Sequence, residues 1–99
     1  MDMNEDQKLI LIDGKVLDLS HRPVIFEFLK VLASKVGFAS KEVISEALWP
    51  KETYFPTIHD ARIFDIARRT RQILEKNSEQ PILLISGRSG YRLNKTHSN

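Results

Sequence analysis

The spacing of hydrophobic positions changes along the chain and marks out its elements. Leu9 to Ile12 and Lys15 to Leu19 are short apolar runs on either side of Asp13-Gly14. That dipeptide tolerates the positive φ angles of a type I′ turn, so the two runs predict a β-hairpin. An isolated hairpin is marginal in water and must lie on an apolar surface or pair with other strands. From Pro23 the spacing becomes helical: Ile25, Phe28, Leu29, Leu32 and Val36 share one face of a first helix over about 23–36. Ser20 is its expected cap, Pro23 suits the first turn, and Gly37 lets the chain leave. Ser40 is the expected cap of a second helix, with Glu42 in its first turn, Val43, Ile44, Ala47 and Leu48 as its buried stripe, and Pro50 as its stop.

The segment 51–57 has no period and reads as a loop carrying Tyr54 and Phe55. Thr57, with Asp60 three positions on, resembles a capping box and predicts a third helix over about 58–76. At 100° per residue, Ile63, Ile66, Ala67, Thr70, Ile73 and Leu74 fall on its inner stripe. Ala61, Asp65, Arg68 and Gln72 face out, flanked by Phe64, Arg69 and Arg71. After a polar link, Ile82 to Ile85 predicts a buried strand and Tyr91 to Asn94 its antiparallel return, joined by Ser-Gly-Arg-Ser-Gly with Arg88 at the tip. Residues 1–8 are expected to be a disordered N-terminal tail, 9–94 one domain, and 95–99 a disordered C-terminal tail.

Composition narrows the function. The 99 residues are 41% hydrophobic and 28% charged and contain no cysteine, which suits a single small core and excludes thiolate metal sites and disulfide scaffolds. No apolar run approaches the roughly 20 residues that span a bilayer, and the acidic start lacks signal-peptide features, so no membrane is expected and the cytoplasm is the default compartment. His21, His59 and His97 show no ligand spacing, and neither a nucleophile elbow nor a phosphate-binding glycine loop is present. No metal, cofactor or enzymatic activity is expected.

The charge is lopsided. Residues 1–50 hold six Lys and Arg against eight Asp and Glu, a net of −2, whereas residues 51–99 hold nine against five, a net of +4. A basic half implies a directional surface for a polyanion or an acidic protein, or else ordinary solvation. Two short helices before a longer basic one satisfy the helix-turn-helix idea, in which the last helix enters a major groove about 12 Å wide. The expected fold class is α+β, a winged helix-turn-helix with three helices, a short N-terminal β-hairpin and a C-terminal hairpin as the wing.

The stretch from Phe26 to Pro50, the helix ending Ala-Arg-Arg-Thr-Arg-Gln-Ile-Leu, and the closing run Leu83 to Leu93 together resemble the effector domain of OmpR/PhoB-type response regulators. The resemblance covers roughly residues 9–94, and its most specific marks are Trp49 at the end of helix two and Gly90-Tyr91-Arg92-Leu93 in the wing. It implies transcriptional regulation by sequence-specific binding to double-stranded DNA, with helix three in the major groove and the wing, about 86–90, at the minor groove or its phosphates. It also implies that loop 51–57 touches RNA polymerase; a dimer on DNA is compatible with it. Members of the family normally begin with a four-stranded sheet, where only a hairpin is visible here. The resemblance is to the effector domain alone, so no phosphorelay role is carried over. The chain has Gly87-Arg88 where the family commonly has Arg-Gly.

Arg68, Arg69 and Arg71 match the basic run of the family's recognition helix, suited to guanine or phosphate; the alternative is a solvated face paired with Asp65 and Glu75. Arg62 lies on the flank and Gln72 on the outer face. Asp65 repels phosphate unless it accepts from a cytosine amino group. Arg88 suits wing insertion, Arg92 is a wing contact or a structural cation, and Lys41 reaches phosphate or only solubilises. Tyr54 and Phe55 cover the core or meet a partner, and Phe64 contacts a thymine methyl, packs under the loop or marks a protein interface. Trp49 and Tyr91 are expected in the core. Guanidinium groups of helix three and the wing are expected to form one continuous cationic saddle. The competing function is a winged-helix module for protein contact within a longer protein; RNA binding lacks an exposed aromatic platform.

Overall fold

The computed structural model describes residues 1–12, 14–77 and 79–94. Its elements run β1 (Asp2–Asn4), β2 (Leu9–Ile12), β3 (Lys15–Asp18), α1 (Pro23–Ala33), α2 (Lys41–Leu48), α3 (Pro56–Leu74), β4 (Leu84–Gly87) and β5 (Gly90–Leu93). The first three strands form an antiparallel sheet in the order β1-β2-β3, and the last two form a separate hairpin. The predicted α+β class holds, with one strand more than expected. Residues 2–4, expected to belong to a disordered tail, pair with β2 through Asp2↔Leu11, Met3↔Ile10 and Asn4↔Leu9. A three-residue strand with one inward apolar side chain, Met3, carries no alternation to read. Its turn is built by polar groups: the Asn4 Oδ1 accepts from the Gln7 N–H at 3.0 Å, and Glu5 pairs with Lys30 of α1. Of the expected type I′ turn, Asp13 lies outside the described residues, while Gly14 has φ +76°, the left-handed conformation that glycine adopts without strain. The tail 95–99 also lies outside them.

The sheet lays Ile10 and Ile12 on α1, whose Ile25, Phe26, Phe28, Leu29 and Leu32 are buried. Ile44, Ile63, Ile66, Ala67, Leu74, Leu84 and Leu93 complete the same core from α2, α3 and the hairpin. Several boundaries differ from the expected ones. Ser20 does not cap α1; its N–H donates to Asp18 Oδ1, and Pro23 opens the helix after Arg22. The helix ends at Ala33, so Val36 is fully exposed. Ser40 does cap α2, accepting from the Val43 N–H at 3.1 Å, but Ser45 rather than Ala47 is buried beside Ile44. The capping box at Thr57 is absent. Pro56 is the first helical residue of α3, and the Phe55 N–H is taken by the Nδ1 of His59 at 2.9 Å. Strand β4 starts two residues later than predicted because the N–H groups of Ile82, Leu83 and Leu84 are bound by Glu75.

The hairpin is stitched to the link between α1 and α2 by a pair of backbone bonds, Ala39 N–H to Tyr91 O at 2.8 Å and Tyr91 N–H to Ala39 O at 3.0 Å. The Tyr91 ring meets Phe28 edge-on at 5.9 Å. This close approach requires Gly90, which has φ +129° and where a Cβ would lie 1.9 Å from the Ala39 carbonyl oxygen. Gly90→Ala is expected to destabilise the fold by about 3 kcal/mol or more, through the clash and the backbone strain together. Urea unfolding followed by circular dichroism measures it.

Candidate nucleic-acid interface

Helix α3 is amphipathic as its spacing implies. His59, Ile63, Ile66, Ala67, Thr70 and Leu74 point inward, and Ala61, Phe64, Arg68, Arg69 and Gln72 are exposed. The inner stripe also includes His59, one helical turn before Ile63. The Phe55 N–H donates to its Nδ1 at 2.9 Å, and its Nε2 lies 3.2 Å from Glu52 Oε1. The rings of Trp49 and Tyr54 lie tilted against the imidazole, with centroids 5.6 and 5.9 Å away. The loop before α3 is thereby fastened to its first turn. Trp49 is half-buried rather than a full core residue, and the Arg62 guanidinium lies 5.3 Å over its ring.

The hydrogen bond from His59, and after it Arg62, holds the Glu52 carboxyl below the usual carboxylate range. Arg62 meets Glu52 at 3.0 Å. Tyr54 donates its hydroxyl to Asp60 Oδ1 at 2.5 Å, and Lys41 Nζ lies 3.6 Å from Asp60 Oδ2. These three candidate residues therefore have acidic partners or a structural bond. Phe55 and Phe64 do present their rings to solvent, at 54% and 62% exposure, as a partner surface requires.

The five remaining candidates on α3 divide. Asp65 accepts from Arg68 Nη2 at 2.8 Å and from Arg69 Nε at 3.0 Å, and the Arg68 bond holds its carboxyl below its ordinary range. Arg71 is half-buried, its Nε donating to the Leu84 carbonyl at 3.3 Å, so it braces the root of the hairpin rather than facing outward. Gln72 is exposed beside Phe64 and Arg68. The continuous cationic saddle is thus corrected to a punctuated one. Asp65, at helical spacing, takes up Arg68 and Arg69, and Glu52 from the preceding loop takes up Arg62.

The hairpin supplies the unpaired charge. Arg88 and Arg92 are exposed, and neither has a hydrogen-bond or ion-pair partner among the described residues. Arg88 and Ser89 form the tip and line one side of a cleft whose other walls are Ser40, Lys41, Glu42, Tyr54, Pro56 and Asp60. The starts of α2 and α3 and the hairpin tip therefore converge on one side of the molecule.

What fixes the hairpin relative to α3 is Glu75, a buried carboxylate that follows the last helical residue. Its Oε1 accepts from the N–H groups of Ile82 and Leu83 at 3.0 and 3.1 Å, and its Oε2 from Leu83 and Leu84 at 2.9 and 2.7 Å. In the sequence it reads as a surface ion-pair partner; nothing local marks it as an anchor, because the groups that it binds lie seven to nine residues further on.

No protein-family model matches the chain, and no curated protein matches its sequence. Among solved structures, it is similar to the DNA-binding domain of E. coli CadC, with a TM-score of 0.58 and 18% identity over 89% of this chain and 79% of that one. The fold is a winged helix. In that fold α3 is the third helix and β4-β5 is the wing. No helix among the described residues is long and apolar enough to cross a membrane.

Two expectations follow from this winged-helix geometry. Glu75→Ala should cost about 3 kcal/mol in chemical unfolding, since buried N–H groups lose a charged acceptor. Glu75→Gln should recover only part of that, because the amide NH2 cannot accept. The Asp60 bond pushes Tyr54 up to about 12, with burial adding to the effect. The Tyr54–Asp60 link therefore contributes fully below the ordinary tyrosine pKa of about 10 and is lost as pH rises through the folded value. Ultraviolet titration should show one tyrosine ionising near 12, and Asp60→Asn should bring it back toward the ordinary value.

Proposed function

We propose that this winged helix binds double-stranded DNA sequence-specifically in transcriptional regulation, as the resemblance to OmpR/PhoB-type effector domains implies, and acts in the cytoplasm. The observation that carries this reading is the unpaired Arg88 at the wing tip, lining the cleft where α2 and α3 begin. A wing cation held in fixed relation to a helix with exposed arginines is suited to the two-point contact that a groove and its flanking phosphates require. In this reading α3 enters the major groove with Arg68, Arg69 and Gln72 outward, and Arg88 and Arg92 meet the minor groove or phosphates. Lys41 and Arg62 assist at the flank once released from Asp60 and Glu52. Arg71 acts through the wing root. Loop 51–57, with Phe55 exposed, is the surface for RNA polymerase, and dimer formation on DNA is part of the proposal. The comparison structure's description as a DNA-binding domain supports duplex DNA as the partner.

A second reading, a winged helix used for protein contact, is favoured by the exposed Phe64 and by the carboxylates that pair with Arg62, Arg68 and Arg69. Titration of labelled duplex by fluorescence anisotropy separates the two. With three phosphates neutralised, affinity should fall roughly 40-fold between about 50 and 200 mM salt. Replacing Arg88 and Arg92 by alanine should weaken binding and flatten the salt slope by about 1 to 2 with the fold intact. Absence of binding even at low salt selects the protein-contact reading.

A further inference from the structure

The exposed face of α3 has an unusual electrostatic centre. Asp65 and Asp60 are the helix's two carboxylates, and Asp60 is occupied by Tyr54 and Lys41, which leaves Asp65 to face the arginines of the outer surface. Its two oxygens are used separately, Oδ1 by Arg68 and Oδ2 by Arg69, so one side chain restrains both guanidinium groups. All three side chains are well exposed, at 42% for Asp65, 53% for Arg68 and 62% for Arg69. Ion pairs in such surroundings are weak and exchange readily for other partners.

Exchange has different consequences for different targets. If Arg68 or Arg69 turns to a phosphate, Asp65 is left with one oxygen unmet and facing a polyanion. If instead a cytosine lies opposite, its N4 amino group donates to the vacated oxygen, and the released guanidinium is free for a neighbouring guanine or phosphate. The carboxylate stays ionised throughout neutral pH because Arg68 holds its proton affinity down.

We propose that Asp65 is the discriminating residue of α3: it withholds Arg68 and Arg69 from indiscriminate phosphate contact and releases one of them where a cytosine amino group takes its place. The inference rests on the DNA-binding reading. It gives that reading a specificity device and a base preference.

The test compares the whole chain with its Asp65→Asn and Asp65→Ala variants on a random duplex of about 30 base pairs, at about 50 and 200 mM salt, and in selection from a randomised duplex pool. The side chain is exposed and outside the core, and circular dichroism verifies that each variant is folded. Both variants should bind the random duplex about 5- to 10-fold more tightly, with a salt slope steeper by about 1. Sequences selected by the wild type should share a C·G pair that the variants no longer enrich. Salt-sensitive wild-type binding combined with unchanged or weaker binding by the variants, or with the same C·G preference in all three, overturns the role of Asp65 and leaves DNA binding standing. Failure of the wild type on both duplex pools at low salt overturns the DNA-binding reading, and this inference with it.

Discussion

Four short hydrogen bonds to one carboxylate hold α3 and the β4-β5 wing in register. Glu75 closes α3 and at the same time gathers the N–H groups of Ile82, Leu83 and Leu84, which would otherwise be unmet between the helix and the first rung of the β4-β5 ladder. Buried N–H groups without acceptors are costly, and an ionised acceptor binds them more strongly than a carbonyl does. Arg71, one turn back, adds a bond to the Leu84 carbonyl on the same strand. At its far end the wing is clamped to Ala39 by the backbone pair that Gly90 makes possible. With both ends tied, Arg88 keeps a defined position relative to the starts of α2 and α3.

A similar logic fastens the other end of α3. His59 spans Phe55 and Glu52 from within the helix, and the rings of Trp49 and Tyr54 lie tilted against it. The turn of the helix-turn-helix is consequently a polar network with aromatic walls rather than an open loop. Within it Tyr54 is half-buried, whereas Pro50, Lys51, Glu52, Thr53 and Phe55 are exposed. On the surface of α3, Arg68 and Arg69 share the carboxylate of Asp65, which sits at the spacing both side chains reach. The wing carries cations without such partners.

Much of this architecture was legible because core positions obey a period. The three helices, the N-terminal hairpin and the wing follow from the spacing of Ile25, Phe28, Leu29, Leu32, Ile63, Ile66, Ala67 and Leu74 and from the glycines at the turns. Strand β1 was not legible, since one inward methionine is no pattern. The start of α3 was misread because Thr57 offers a capping hydroxyl by type, while His59 takes the N–H that matters one step earlier. At the candidate interface, the exposure of Arg68, Arg69, Gln72, Arg88 and Arg92 was readable from helical phase and turn position. Their partners were only partly so. Asp65 lies at helical spacing and could be named, whereas the Glu52–Arg62, Lys41–Asp60 and Arg71–Leu84 contacts join separate segments and arise only when the chain folds.

The order β1-β2-β3 leaves the sheet with two open margins, each offering unpaired backbone groups to any other extended chain. Both margins are short, and both bear charge: Asp2 on β1, Lys15 and Asp18 on β3. A second molecule adding itself strand upon strand would have to strip water from those groups for only three or four residues of ladder. The hydrophobic hairpin that anchors the domain is in this way kept from seeding filaments.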